Sequence, residues 1–350
     1  MTDDVLIFVE GRTGRIRLNR PKALHALNHE MCTAMIAALI DWAANDAIDL
    51  VMIDHAEGRG FCAGGDIRAI AESAAVGGEA ARAFFHEEYR LNHLLFTYVK
   101  PTIAFMDGIT MGGGVGISQP CSIRVVTDRT MYAMPETGIG LFTDVGGGRY
   151  LSRMPGRTGQ YVGLTGARLN GAECLALALG SHYVAGDDVD ALKAAILGNP
   201  KAADAALRSA VSPIPAAPIL DRRVEIDRLF ASDHYEDILA ALAADGGEWA
   251  LATLKALEGK SPQSCKVVLR LLAEAAKIDD FAVEMSREYA LAAHVIARPD
   301  FVEGVRALIV DKDNAPRWNP PTPEAVSEAE IDAIFAPLPP AEAWTPLPNA

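Results

Sequence analysis

A strand, a glycine-rich turn and a helix follow one another twice in this chain, at residues 49–75 and again at 102–118. DLVMIDH and PTIAFMDG are short, largely apolar runs, as strands buried on both faces require. Each leads to a glycine cluster, GRGFCAGGD in the first case and MGGG in the second, and each cluster opens a helix. The recurrence predicts ββα-type turns repeated in a layered or spiral α/β core. Around it, VLIFVEG and RIRLNR flank the turn signal RTG and read as a hairpin. NHEMCTAMIAALIDWAAND reads as a helix capped by Asn28, and EAARAFFHEEYRLNHLLFTYV as a long amphipathic helix. SIRVVTD and TMYAM read as two further strands.

Strand signals fade past about residue 150, and the chain's 350 residues exceed what one compact core usually holds. The expected division is an α/β core over 1–198, an alanine- and proline-rich linker over 199–223, a helical region over 224–318 and an extended proline-rich tail over 319–350. A net charge of −14 argues against nucleic acid and anionic membranes as partners. The odd, unpaired set Cys32, Cys62, Cys121, Cys174 and Cys265 fits neither a disulfide framework nor a zinc site, and suits a reducing compartment. MTDDVLIFVEGRTG has neither signal- nor transit-peptide character, and no apolar run reaches membrane-spanning length. The expectation is a cytoplasmic protein with no metal site and no cofactor of its own.

The glycine clusters carry the first chemical suggestion. Gly64 and Gly65, and likewise Gly112, Gly113 and Gly114, sit between a strand and a helix, where the first amides lack intrahelical partners. Two such turns side by side offer converging N–H groups, an oxyanion hole for a carbonyl under attack. The alternative is that these glycines only permit tight helix–strand packing. A phosphate loop is the weaker reading, because the chain lacks G-x-x-x-x-G-K-[ST] and a suitably placed G-x-G-x-x-G. Downstream, MPETGIGLFTDVGG places Glu136 and Asp144 in a stretch that otherwise reads as interior.

NRPKALHALN, GRGFCAGGDIRAI, MDGITMGGGVGIS and AMPETGIGLFTDVGGGRYL, in this order and spacing, resemble the crotonase superfamily, also called the enoyl-CoA hydratase/isomerase family. The likeness covers about residues 5–185. FFHEEYRLN, SPQSCKVVLRLL and DFVEGVRALIVDKDNAPRWNP further resemble its 3-hydroxyisobutyryl-CoA hydrolase branch, to about residue 320. The resemblance implies a crotonase-like spiral of ββα units followed by a helical C-terminal region. It implies an acyl-CoA substrate, so that coenzyme A arrives with the substrate, and an oxyanion hole from the Gly65 and Gly113 amides. Asp66, Ile67 and Arg68 match the family's stretch along the coenzyme A moiety; Arg68 either meets its phosphates or is a solvated helix residue. Many family members are trimers or pairs of trimers, so a homo-oligomer is one expectation, and the long C-terminal region covering that surface is the other.

The resemblance also separates chemistries. Enoyl-CoA hydratases carry two glutamates; one of the two positions is Glu136 here, and the other is Gly116. The hydrolase branch pairs a glutamate with an aspartate, matching Glu136 and Asp144, and carries a further acid matching Glu88. Only one of Glu87 and Glu88 can face a pocket, because adjacent helix positions point about 100° apart. The implied activity is thioester hydrolysis, with Glu136 as general base or nucleophile and Asp144 on the substrate hydroxyl; the alternative is a lyase or isomerase with Glu136 as lone base. Helix capping by Asp144 and a solvated face for Glu88 are the bland readings. His86 and His93 read as packing residues, and Cys62, with no histidine in its motif, as a small buried residue.

Overall fold

The computed structural model describes residues 2–210 and 212–348. Position 1, residue 211 of the expected linker and residues 349–350 of the expected tail lie outside the described residues. The hairpin β1 (Val5–Glu10) and β2 (Thr13–Leu18) is followed by α1 (His29–Ala43), whose first turn is closed by the Asn28 side chain accepting from the Met31 amide at 2.9 Å. The first unit is β3 (Leu50–His55), β4 (Gly60–Cys62), α2 (Ile67–Ala74) and α3 (Glu79–Phe96). The second is β5 (Thr102–Met106), β6 (Ile109–Met111) and α4 (Gly113–Ser118). A third unit, β7 (Ile123–Val126) and β8 (Met131–Ala133), runs into a 3₁₀ turn at Glu136–Ile139 and then α5 (Gly147–Ser152) and α6 (Thr158–Thr165). Gly60–Cys62, expected within a glycine turn, is therefore a short strand.

Each unit sends its first strand to one sheet and its second to another. The larger sheet has the order β1, β2, β3, β5, β7 and then β10 (His182–Tyr183), antiparallel only between β1 and β2. The smaller holds β4, β6 and β8 in parallel, closed by an antiparallel β9 (Leu169–Asn170), with α7 (Gly171–Ala176) between β9 and β10. The edge strand β1 is largely exposed, whereas β3, β4 and β5 are buried almost throughout, which is why β3 and β5 read as continuous apolar runs.

One face of the large sheet is covered by α8 (Val189–Gly198) and α9 (Ala203–Ser209), which bury Val189, Leu192, Ile196, Ala203 and Leu207 against Met52, Ile103 and Phe105. Residues 199–223 thus hold α9 and the start of α10 (Ile219–Leu229), and the exposed stretch shrinks to about 212–217. The alanines that read as linker supply a small apolar face. Beyond α10 come α11 (Tyr235–Asp245), α12 (Glu248–Glu258), α13 (Pro262–Ala275), α14 (Phe281–Val295) and α15 (Pro299–Val305). They share one continuous core with the α/β units, α13 against α5 and α6, and α14 against α3.

The segment 319–350, expected as extended tail, contains α16 (Glu328–Ile334) and a buried tryptophan. Trp344 is 3% exposed, donates its indole N–H to the His86 carbonyl of α3 at 3.1 Å and meets the His93 ring edge-on at 5.8 Å. His93 also stacks on Phe281 of α14. Trp344→Ala should lower unfolding free energy by about 3–5 kcal/mol, read as a drop in urea midpoint at unchanged slope.

Candidate active site

Parallel pairing of β4, β6 and β8 sets their C-terminal ends side by side, Cys62 opposite Thr110 and Met111 opposite Ala133. The three following turns therefore converge. Gly64 has φ +118°, and an added Cβ there would stand 3.6 Å from the Met111 carbonyl and 3.9 Å from the Gly113 nitrogen. Gly112 has φ +46°, where a Cβ would come within 3.3 Å of the Gly64 Cα and 3.1 Å of Glu136 Oε1. Only glycine allows the two turns to touch backbone to backbone. Neither the Gly65 nor the Gly113 N–H reaches a protein acceptor among the described residues. Both line one cavity, together with Ile67, Glu88, Glu136 and Asp144.

Glu136 opens the 3₁₀ turn after β8, is 4% exposed and has no partner for Oε2. Burial first, then the nearby Asp144, push its carboxyl well above the usual range, with Lys260 pulling weakly the other way. Asp144 Oδ2 accepts the Tyr89 hydroxyl at 2.7 Å. Burial pushes Asp144 up to about 6, and the Tyr89 hydrogen bond restrains that rise. Asp144 caps no helix: the N-cap of α5 is Gly146. Glu88 is buried on α3, its Oε1 unpartnered, and burial, Asp144 and Glu136 all raise it. A Cβ on Gly113 would collide with that same Oε1. Glu87 instead turns outward, 3.9 Å from Arg90. Three acids thus surround one cavity, and their mutual repulsion opposes full ionisation.

The remaining expected residues divide. Ile67 lines the cavity, whereas the Asp66 carboxylate caps α2 through the Ala69 amide at 3.4 Å and pairs with Arg20 at 2.9 Å. Asp66 borders a neighbouring cavity that shares Ile70 and Phe84 with the first. Arg68 is exposed, contacts the Ile309 carbonyl at 3.3 Å and makes no ion pair among the described residues. Cys62 is fully buried with its thiol pushed up to about 12 by desolvation, which removes it as a nucleophile at neutral pH.

Two features escaped the sequence. Tyr89 follows Glu88 directly in HEEYRL and holds Asp144. Val145 has φ +57°, rare for a β-branched residue and a source of about 1–3 kcal/mol of local strain. Val145 and the buried Asn92 fill the space beside Gly116: a Cβ there would stand 2.7 Å from Val145 Cβ and 2.7 Å from Asn92 Nδ2. A glutamate at this position has no room.

The chain matches the enoyl-CoA hydratase/isomerase family over residues 13–335. It belongs to that family. Among enoyl-CoA hydratase/isomerase relatives, the mitochondrial 3-hydroxyisobutyryl-CoA hydrolase of Danio rerio is 40% identical over 344 residues, covering 96% of this chain and 90% of the relative. The Homo sapiens protein of the same name is 36% identical, at 96% and 89% coverage. Of solved structures, a carnitinyl-CoA dehydratase from Mycobacterium thermoresistibile superposes with a TM-score of 0.93 at 41% identity, covering 97% of this chain and 98% of its own. An enoyl-CoA hydratase from Rhodobacter sphaeroides 2.4.1 gives 0.91 at 37% identity, with 98% and 100% coverage. The fold is thus the crotonase-like one that the glycine motifs implied. No helix of the described residues is long and apolar enough to cross a membrane.

Gly116→Glu should destabilise the fold by more than 2 kcal/mol through overpacking and bring no crotonyl-CoA hydration; a stable, hydrating variant would contradict the packing described. Asp144 gives a pH signature. Because its folded pKa is raised, the folded chain keeps a proton between about pH 4 and 6 that the unfolded chain releases. That contribution is complete below about pH 4 and lost as pH rises through about 6. The rise from 3.8 to about 6 corresponds to at most about 3 kcal/mol. Asp144→Asn removes the term, so the variant should gain stability relative to the parent between pH 4 and 7.5 in urea unfolding; a pH-independent difference would count against the buried aspartate.

Proposed function

We propose that this chain hydrolyses an acyl-CoA thioester, with 3-hydroxyisobutyryl-CoA as the preferred ester, as in valine breakdown. The observation that carries the reading is the buried Glu136–Asp144 pair facing two unengaged turn amides while the Gly116 side is filled by Val145 and Asn92. The names of the curated relatives point the same way.

In this reading the thioester oxygen lies between the Gly65 and Gly113 N–H groups, each donor lowering the barrier by about 3–4 kcal/mol. Water attacks the carbonyl carbon and Glu136 takes its proton, a task suited to a carboxylate whose proton affinity burial has raised. The tetrahedral alkoxide collapses, the C–S bond breaks, and the proton on Glu136 passes to the departing thiolate. Direct attack by Glu136 would give a mixed anhydride that water then opens. Asp144, held by Tyr89, and Glu88 contact the 3-hydroxyl of the acyl group, so an ester lacking it leaves buried acids unpartnered. Arg68 is the cation we assign to the coenzyme A phosphates.

A second reading has support in the names of the two solved structures: a lyase with Glu136 as lone base. It predicts an absorbance change with crotonyl-CoA and no thiol release. The five cysteines are unpaired and buried, which suits a reducing compartment, and a cytoplasmic location is the reading we attach to them. The relatives above are named as mitochondrial, so cell fractionation decides that point.

Purified protein should release free coenzyme A from 3-hydroxyisobutyryl-CoA and, with one methyl fewer, 3-hydroxypropionyl-CoA; no thiol from either ester sinks the proposal. Glu136→Gln should cut turnover by about 10²–10⁴-fold while ester binding stays within a few-fold. Retained turnover would remove Glu136 from the reaction.

A further inference from the structure

The Asp144 loop is gripped from a second direction. Glu288, on α14, is fully buried, and both its oxygens point into the loop after Asp144. Oε2 accepts the Gly146 N–H at 2.7 Å and Oε1 the Gly148 N–H at 3.2 Å. Gly146 is the N-cap of α5 and has no side chain to close the helix end. A carboxylate from a helix 142 residues further along the chain takes that place. Between Asp144 and the gripped amides stand Val145 at φ +57° and Gly146 at φ +84°, two successive left-handed residues. Glycine adopts that conformation freely and valine does not, so the turn needs an outside hold.

We propose that Glu288 is a positioning residue for the reaction: by fixing the Gly146 and Gly148 amides it keeps the Val145–Gly146 turn left-handed and sets where Asp144 faces the substrate. The inference rests on the role of Asp144 given above. Tyr89 holds the Asp144 carboxylate itself, whereas Glu288 holds the backbone that carries it. Glu284, one helical turn earlier, is an internal comparison. It is equally buried and close to Gly148, yet neither of its oxygens has a hydrogen-bond partner among the described residues.

Glu288→Gln preserves size but replaces one acceptor oxygen with an NH₂ that cannot accept. Its kcat for thiol release should fall at least about tenfold, with the coenzyme A dissociation constant within about twofold. The Gly146 and Gly148 amides should exchange with solvent at least about tenfold faster. Glu284→Gln should change kcat by less than about threefold. In an Asp144→Asn background, adding Glu288→Gln should lower kcat by less than about twofold, because its contribution passes through Asp144. Losses that multiply in the double variant, a Glu288→Gln kcat within twofold of the parent, unchanged exchange, or an equal loss from Glu284→Gln would each overturn the inference. If Glu288→Gln does not fold, Glu288→Asp, which keeps the charge but cannot span both amides, enters the same cycle with the same criteria. An Asp144→Asn enzyme at parental rate would strike the reading of Asp144 and the inference with it, and the exchange rates would then separate that failure from a Glu288 that does not hold the turn.

Discussion

The parallel register of three very short strands governs this molecule. β4, β6 and β8 have three residues each, too few to be stable alone, yet their pairing fixes where three chain reversals occur. Two reversals consist of glycine and expose amides; the third carries Glu136. A shift of one residue in either pairing would swap inward and outward side chains and separate the glutamate from the amides. The large sheet, the helices around it and the continuous core hold that register.

Against this frame stands an electrostatic conflict. Glu88, Glu136 and Asp144 are all buried in one cavity, and an unpaired buried carboxylate costs several kcal/mol. The structure offsets only part of this, chiefly through the Tyr89 hydroxyl. Two oxygens in this cavity remain unpartnered, Glu88 Oε1 and Glu136 Oε2. Asp54, for comparison, is fully buried but meets Arg15, Arg17 and Lys193. Unpartnered carboxylate oxygens lining a cavity mark where a ligand gains binding energy.

The sequence made a good part of this legible. Two of the three ββα units announce themselves by glycine, and the Asn28 cap, the long helix α3 and the four apolar strands β3, β5, β7 and β8 read off directly. The third unit did not, because its turn is MPETG and its glycines come later. Recognising that Glu136 occupies the turn equivalent to Gly64–Gly65 and Gly112–Gly113 required the strand pairing. Tyr89 and Glu288 lie 55 and 142 residues from the groups they bind, beyond the reach of local pattern. The two-residue strands β9 and β10 have no periodicity to detect. The C-terminal segment was misleading for a compositional reason: its prolines hide the apolar anchors Ile331, Ile334 and Trp344.

The plug beside Gly116 ties three features of the chain together. Space for a second glutamate would need a different residue at 145, a smaller one at 92 and a loop freed from its left-handed turn. None of these alone adds an acid, and the acid alone cannot be packed. The Val145 backbone angle and the buried Asn92 thus couple the number of carboxylates this cavity can hold to the conformation of a neighbouring loop.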